Sequence, residues 1–315
     1  MKKLPILLIL ILLSCKNESS ENSVLSILIS KGSELKYEEY FNGSNEDKLV
    51  NIQSITKSII SLLIGKAIDE GIIENEHVSI SNYFPQLNSD KKLITIAHLL
   101  NHTSGLEWKG YLEHEEFLKS NNPIDFVLAK ELVEEPGTSY NYNSGGTHLL
   151  SVILTQASGK STLIYAQEKL FSPLGIKKVN WEKLEDGHYD GAGFSLELLP
   201  KDLIKIGSIF LQAQQNKDTN IASARWIAKI NNDDLKKETK WGLRNSHHGY
   251  GWYSTVMDHQ RILYSMGYGG QFILIVPDKE LVMVTTHNHD TPDGIDQQVD
   301  FLRETFPDLI KQYGS

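Results

Sequence analysis

Residues 54–70 have the sequence SITKSIISLLIGKAIDE, which contains apolar residues at positions 55, 59, 60, 62, 63, 64, 67 and 68. These positions cover most of the circumference of an α-helix. The pattern therefore predicts a buried helix over residues 55–70, with Gly71 as its C-terminal cap. Ser54 and Lys57 come at the start of this helix, one turn apart on the same face.

Lys57 needs a reason to stand at the start of so apolar a helix, because lysine is rarely buried without a partner. Burial favours the neutral form of a lysine, which can accept a proton from a neighbouring hydroxyl such as that of Ser54. The same Ser-x-x-Lys spacing recurs at residues 33–36 and 89–92, where polar surroundings predict solvated surface. The alternative for Ser54 and Lys57 is a helix-capping serine beside a lysine that extends to solvent.

The segments before and after this helix show other patterns of apolar residues. Residues 24–30 and 34–41 predict a β-hairpin, and short β-rich segments return near the end of the chain, at 261–265, 271–276 and 281–286. Between them the chain is mostly helical, with predicted helices at 124–132, 145–157, 161–171 and 200–211, and residues 301–313 predict a closing helix. This order predicts an α+β fold with a sheet built from both ends of the chain, an inserted helical subdomain and a cleft between the two.

Composition restricts the class of protein. The 315 residues include 31 Lys+Arg and 40 Asp+Glu, a formal charge of −9, with 40% hydrophobic and 23% charged residues. These values exclude an intrinsically disordered chain and a polytopic membrane protein. The acidic balance also argues against nucleic-acid binding, which needs clustered basic residues. Because Cys15 is the only cysteine, neither an intrachain disulfide nor a cysteine-based metal site is expected.

The N-terminal residues predict export. Lys2 and Lys3 precede an apolar run over residues 6–13, which is too short to span a bilayer and is typical of a signal peptide. Residues 12–15, LLSC, resemble a bacterial lipobox, which predicts lipidation at Cys15 and an exported lipoprotein held on the membrane at the periplasmic or cell surface. The alternative is a plain signal peptide with an incidental cysteine.

Three later segments carry a resemblance to the serine β-lactamase-related hydrolases, a family that includes penicillin-binding proteins, class C β-lactamases and esterases. Residues 96–105, IAHLLNHTSG, are similar to the family segment hLLtHTSG. Residues 136–144, PGTSYNYNS, resemble the motif PGxxFxYSN, and residues 200–207, PKDLIKIG, are similar to PrDlaKiG. Together with Ser-x-x-Lys at residues 54–57, the resemblance runs from Val24 to the C-terminal helix.

The resemblance implies a fold and a division of the chain. The implied fold is that of β-lactamases and transpeptidases, an antiparallel sheet from both termini flanked by helices. The predicted divisions are a signal peptide at residues 1–14, a tether at 15–23 and a hydrolase domain at 24–315. Within the domain, the α/β part covers about 24–72 and 245–315, and the helical part about 73–244.

The resemblance also implies acyl transfer through a covalent serine ester. Ser54 would be the nucleophile, with Lys57 and Tyr142, rather than Tyr140, removing its proton. A phenol is a usable base only when a nearby cation stabilises its phenolate, and Lys57 would supply that cation. The backbone N–H groups of Ser54 and Tyr268 would form the oxyanion hole.

The third family motif departs from its usual form. Members often carry Lys-Thr-Gly or His-Thr-Gly on the strand beside the site, whereas this chain has Ser265-Met266-Gly267. The Tyr-x-Asn motif is likewise altered, ending at Ser144. Both changes resemble the branch that includes 6-aminohexanoate-dimer hydrolase and related esterases. The predicted substrate-binding residues are Ser144, Ser265, Gly267 and Gly269.

Other motifs predict no cofactor and no metal. Residues 287–290, HNHD, follow a strand without a third cluster of ligands, so a solvated strand end is the interpretation. His98 and His102 are four residues apart on a predicted short helix, but Leu99 stands where a zinc protease has glutamate. Residues 191–193, GAG, are too short for a nucleotide-binding loop.

Three functions stay open. The leading one is a serine hydrolase acting on a small ester or amide. The second is a β-lactamase or D-Ala-D-Ala carboxypeptidase-like enzyme, and the third is an inactive surface lipoprotein that uses the fold for binding. The retention of Ser54, Lys57 and Tyr142 favours catalysis over the third. Specificity depends on pocket loops that vary on one fold, so the natural substrate stays unassigned.

Overall fold

A computed structural model describes residues 23–214, 220–239, 242–291 and 294–314 of the chain. Cys15, the predicted signal peptide and all of the predicted tether except Ser23 lie outside these residues. The strands are β1 (Val24–Lys31), β2 (Glu34–Tyr40), β3 (Val50–Asn51), β4 (Glu197–Leu198), β5 (Lys237–Glu238), β6 (His247–Gly249), β7 (Trp252–Met257), β8 (Gln260–Gly267), β9 (Gln271–Val276) and β10 (Leu281–His287).

The helices join these strands and fill the middle of the chain. They are α1 (Ile55–Asp69), α2 (Ile96–Leu100), α3 (Tyr111–Leu118), α4 (Pro123–Leu128), α5 (Ser144–Ser158), α6 (Thr162–Ala166), α7 (Pro200–Gln214), α8 (Ala224–Asn231), α9 (Gly294–Asp300) and α10 (Phe306–Tyr313). Two π-helical turns extend α6 and α9, at Gln167–Phe171 and Phe301–Thr305. None of the helices in the described part of the chain is both long and apolar enough to cross a membrane.

Eight strands form one antiparallel sheet in the order β2-β1-β10-β9-β8-β7-β6-β5. β1 pairs with β10, with Ile27 opposite Thr285, so the two ends of the chain meet in one sheet, next to its β2 edge. The helices from α1 to α8 lie between the first three strands and β5 along the chain. The α+β fold with a sheet built from both ends and helices inserted between them is therefore confirmed.

The sheet separates two hydrophobic cores, because successive side chains of a strand point to opposite faces. On β9, Ile273 and Ile275 belong to the larger core, on the side of α1, α5 and α7. Phe272, Leu274 and Val276 alternate with them and pack against the C-terminal helices. α7 approaches the sheet closely, since a Cβ atom on Gly207 would lie 2.5 Å from Val282.

α1 is buried along nearly its whole length and packs against α5 and the sheet. This burial matches the apolar pattern that predicted the helix. Gly65 permits close packing in the second half of this helix, since a Cβ atom there would lie 2.3 Å from the Trp226 ring of α8. The start of α1, with Ser54 and Lys57, is consequently held between the sheet and the helical part.

Two predicted helices have different bounds in the structure. The helix predicted over residues 124–132 ends at Leu128, because the chain then turns and Leu132 pairs with Leu106 in a short antiparallel bridge. The closing helix begins earlier than residue 301, at Gly294, and passes through a π-helical turn. The short strands β5 and β6 and the longer β7 were not predicted, and they extend the sheet at the edge beside β8.

Candidate active site

Ser54 immediately precedes α1 and holds its side chain away from the helix backbone. It occupies the N-cap position, but its hydroxyl makes no capping hydrogen bond. Instead Ser54 Oγ accepts hydrogen bonds from Lys57 Nζ at 3.1 Å and from the Tyr142 hydroxyl at 2.9 Å. The interpretation of Ser54 as a simple helix-capping serine is therefore wrong, and three predicted site residues meet at one atom.

Lys57 is buried, with 3% of its surface exposed, so it does not extend to solvent as the alternative supposed. Besides Ser54, its ammonium group donates to the backbone carbonyl of Ala192. Its Nζ also lies 5.1 Å from the centre of the Tyr142 ring. One cation thus contacts both the hydroxyl that would attack and the phenol that would share its proton.

The ring of Tyr142 packs against the ring of His102. The two rings lie 4.5 Å apart, and the N–H of Asn143 donates to His102 Nδ1 at 3.2 Å. Burial, together with the nearby charge of Lys57, lowers the pKa of His102 to about 3, so the ring is neutral at physiological pH. Tyr140 packs against His102 and His248 at ring distances of 6.0 and 5.7 Å. Of the two tyrosines, Tyr142 is the one bonded to Ser54.

The predicted placement of His98 and His102 on one helix is wrong. α2 ends at Leu100, and His102 follows it in a left-handed backbone conformation with φ of 54°. His98 instead completes a capping box with Thr95 at the start of α2. The bend after α2 comes where the His102 ring packs against Tyr142.

The end of β8 packs against the segment that leads into Ser54. A Cβ atom on Gly267 would lie 2.4 Å from the carbonyl oxygen of Ile52 and 2.9 Å from Gln53 Cβ. The strand end therefore presses on the segment that leads into Ser54, which only glycine allows. Tyr268 follows directly and is 45% exposed. This proximity is compatible with the predicted backbone pair of Ser54 and Tyr268.

Ser144, the first residue of α5, contacts a histidine that sequence reasoning missed. Its Oγ lies 3.0 Å from His114 Nε2. The His114 ring packs against Trp108 and Phe194 at 5.8 and 5.5 Å. Burial, with a smaller effect from the charge of Lys57, lowers the pKa of His114 to about 4. The surrounding sequence, YLEHEEFL, is typical of a solvated helix and offered no signal for this histidine.

Two predicted substrate-binding residues have other partners. Ser265 Oγ lies 2.6 Å from Ser58 Oγ, and the residue is only 1% exposed. Gly269 donates its N–H to Gln298 Oε1 at 3.1 Å, and a Cβ atom there would lie 2.7 Å from His289. The structure thus does not bring Ser265 to the cleft surface, and it explains Gly269 by packing against His289 rather than by access for substrate.

The interpretation of residues 287–290 as a solvated strand end is wrong for its first residue. His287 is buried at the end of β10, where Nδ1 lies 3.1 Å from Ser23 Oγ. Gln271 accepts from its N–H and donates to its carbonyl. Within the described ranges, His, Cys, Asp and Glu side chains form no group of three suited to a metal ion.

The chain is similar to proteins of one known family. The family model described as Beta-lactamase matches residues 16–304. Beta-lactamase-like protein 4 of Dictyostelium discoideum is 28% identical over 153 residues, which are 43% of this chain and 27% of that protein. Penicillin-binding protein 4* of Bacillus subtilis (strain 168) is 25% identical over 168 residues, 49% of this chain and 37% of that protein. The matched segments thus span about a third of these relatives' own length.

Solved structures resemble the fold over nearly the whole chain. A Bacillus anthracis protein named after 6-aminohexanoate-dimer hydrolase superposes with a TM-score of 0.76 at 19% identity, covering 93% of this chain and 81% of that one. At this identity the likeness concerns the fold. The family resemblance inferred from the motifs at residues 54–57 and 96–105 is confirmed by the family model that matches residues 16–304.

Proposed function

The chain belongs to the beta-lactamase family, and we propose that it hydrolyses a small ester or amide through an acyl-enzyme formed at Ser54. One observation carries this proposal. Ser54 Oγ accepts hydrogen bonds from both Lys57 Nζ, at 3.1 Å, and the Tyr142 hydroxyl, at 2.9 Å. A nucleophile needs a base within hydrogen-bonding reach, and this serine has two partners in that range.

The reaction divides into two transfers. Ser54 Oγ attacks the carbonyl carbon and forms a C–O bond, while its proton passes to the phenolate form of Tyr142, which has first given up its own proton and which the Lys57 ammonium group stabilises. The bond to the leaving alcohol or amine then breaks, and the leaving group takes that proton from Tyr142. Water then attacks the ester on Ser54 and gives a proton to Tyr142. The bond between the acyl carbon and Ser54 Oγ breaks, Tyr142 returns the proton to Ser54, and the acid is released.

The oxyanion of each tetrahedral intermediate needs two donors aimed at one point. We assign them to the backbone N–H groups of Ser54 and Tyr268. The contact between Gly267 and the Ile52–Gln53 segment supports this assignment, since it brings the end of β8 against the start of α1. The donors belong to backbone, so their placement depends on how closely these two segments pack.

An uncharged substrate fits this site better than a free carboxylate. Ser265 stands where many family members carry Lys or His, and it is bonded to Ser58. Arg261, a candidate substitute cation, is held by Asp233 through bonds of 2.8 and 2.9 Å. A charge-assisted hydrogen bond to a carboxylate is worth roughly 1.5–3 kcal/mol. Without it, selectivity for a carboxylate falls by about 10- to 150-fold.

The test is a comparison of kcat/KM across substrate classes. Purified enzyme is assayed on short p-nitrophenyl esters, nitrocefin, D-amino-acid amides and linear aminohexanoate amides, with Ser54→Ala as the matched control. We expect the neutral esters or amides to be the best substrates and the control to be inactive. Higher kcat/KM on nitrocefin than on every ester and amide would favour a β-lactamase-like enzyme. Absence of turnover on all four classes would favour a binding protein.

A further inference from the structure

Residues 190–195, DGAGFS, form a tight turn around one buried carboxylate, here called the Asp190 turn. Asp190 is completely buried. Asp190 Oδ1 accepts the N–H groups of Ala192 and Gly193 at 2.7 and 3.2 Å. Asp190 Oδ2 accepts those of Phe194 and Ser195 at 2.6 and 3.0 Å, and the Ser195 hydroxyl at 3.2 Å. A buried carboxylate is tolerated only with such partners, and here they come from its own turn.

The Asp190 turn is also fastened to the helix that begins beside Tyr142. The N–H of Gly191 donates to Nδ1 of His148, a buried residue of α5, at 3.3 Å. Since Nδ1 accepts, the His148 proton lies on Nε2, which donates to Asp186 Oδ2 at 2.8 Å. Trp181 adds a bond to the Asp190 carbonyl at 2.7 Å. The turn therefore has a fixed position relative to α5.

The inner side of the Asp190 turn contacts the reacting groups. Ala192 offers its carbonyl to the Lys57 ammonium group. Gly193 lies against Ser54, since a Cβ atom on it would be 3.0 Å from Ser54 Cα, and its φ of +96° itself favours glycine. A lysine ammonium group sits on a flexible four-carbon stem and must be held if it is to act at one point. The carbonyl of Ala192 supplies that hold.

We propose that Asp190 is a positioning residue for Lys57. By gathering the N–H groups of its own turn, Asp190 directs the Ala192 carbonyl at the lysine and keeps the ammonium group within reach of Ser54 and Tyr142. The inference rests on the proposed function, because it gives Lys57 a role in acylation. Asp190 itself acts through the Ala192 carbonyl and not on the substrate.

The test compares two buried carboxylates. Asp190→Asn keeps the shape of the side chain, but its NH2 group cannot accept the two backbone N–H groups that one carboxylate oxygen now accepts. Asp202 on α7 is also buried and is bonded to Lys205 at 2.7 Å, so Asp202→Asn is the matched control. We expect kcat, per folded molecule, to fall by about 10²-fold in Asp190→Asn, the effect of an ångström-scale misplacement. KM should change little, and Asp202→Asn should keep the wild-type kcat.

A merely structural role would lower the folded fraction or the melting temperature without this separation of kcat from KM. The proposal is overturned if Asp190→Asn keeps its kcat, or if Asp202→Asn loses as much. Should Asp190→Asn yield no folded protein, the same constants are measured on Asp186→Asn, which loosens the turn through His148. There we expect a fall in kcat of roughly 10-fold, and an unchanged kcat overturns the proposal.

The same assays separate this inference from the proposed function. If the wild-type enzyme turns over none of the esters and amides, the proposed function fails. If the wild-type enzyme is active and Asp190→Asn is equally active, only the role of Asp190 fails.

Discussion

The two parts of the candidate site are built differently. In one part, which we call the helix wall, the side chains of Lys57 and Tyr142 both donate hydrogen bonds to Ser54. The other part consists of residues 265–270, and we call it the strand wall. There the Ser265 side chain is hydrogen-bonded to Ser58, and Gly267 brings the backbone close to Ile52 and Gln53. The difference teaches that side-chain identity matters on the helix wall, whereas backbone shape matters on the strand wall. Substitutions should therefore cost activity on the first and mainly stability on the second.

The largest effect is expected at the nucleophile. Ser54→Ala removes the attacking oxygen, so a fluorophosphonate probe that labels the wild-type enzyme should no longer label this variant, as measured by mass spectrometry. Ser33 and Ser89 share the Ser-x-x-Lys spacing but are exposed, and their alanine variants should label normally. Labelling that survives in Ser54→Ala would contradict the assignment.

Lys57 comes next. Lys57→Ala removes the cation that contacts both Ser54 and Tyr142, and loss of such a proton-transfer partner commonly costs about 10²- to 10⁴-fold in rate. Steady-state kinetics on the best ester should show this fall in rate, and circular dichroism should show that the variant is still folded. The exposed lysines Lys36 and Lys92 are the controls. A similar loss of rate in all three lysine variants would contradict a specific role of Lys57 in proton transfer.

The two tyrosines test which position of the motif carries the chemistry. Tyr142→Phe deletes only the hydroxyl bonded to Ser54, so kcat should fall by about 10²-fold with little change in melting temperature. Tyr140→Phe should keep a kcat near that of wild type, because Tyr140 packs behind the site against His102 and His248. The reversed result would shift the motif by two residues.

The smallest effect on activity is expected on the strand wall. Ser265→Ala deletes the hydroxyl bonded to Ser58, a hydrogen bond worth about 0.5–1.5 kcal/mol of unfolding free energy. Denaturant titration should detect that loss, while kcat/KM on esters stays within about threefold. A much larger fall in kcat/KM would make Ser265 a substrate contact and erase the contrast between the walls.

The fold was predictable wherever apolar periodicity was strong. α1 and β9 matched their predictions closely because burial on several sides or on both faces leaves continuous apolar runs. The helix expected over residues 124–132 was too long, because the pairing of Leu132 with Leu106 is a tertiary contact that periodicity does not record. Similarly, no local pattern indicated that His102 adopts a left-handed backbone.

The site was predictable only in part. Ser54 and Lys57 stood out because a lysine at the start of a buried helix demands a partner, and family motifs indicated Tyr142. His114 and Asp190 were missed, since the residues that relate them to the site are distant in the chain: Ser144 contacts His114, and Lys57 contacts the Asp190 turn. For Asp190 a signal existed: Asp followed by Gly191 and Gly193 is typical of a turn closed by its own side chain. A turn signal does not show, however, that the turn meets Lys57.

The histidine pair behind Tyr142 links the stability of the protein to acid. His102 and His248 stack 4.9 Å apart. Burial lowers the pKa of both, with added effects from the charge of Lys57 on each and from Lys236 on His248. An unfolded histidine titrates near pH 6.5, while folded His102 titrates at about 3. Below pH 6.5 the unfolded chain therefore binds more protons than the native one, and acidification favours unfolding down to the folded pKa. The two histidine rings that pack beside Tyr142 therefore also lower the free energy of unfolding as the pH falls below 6.5.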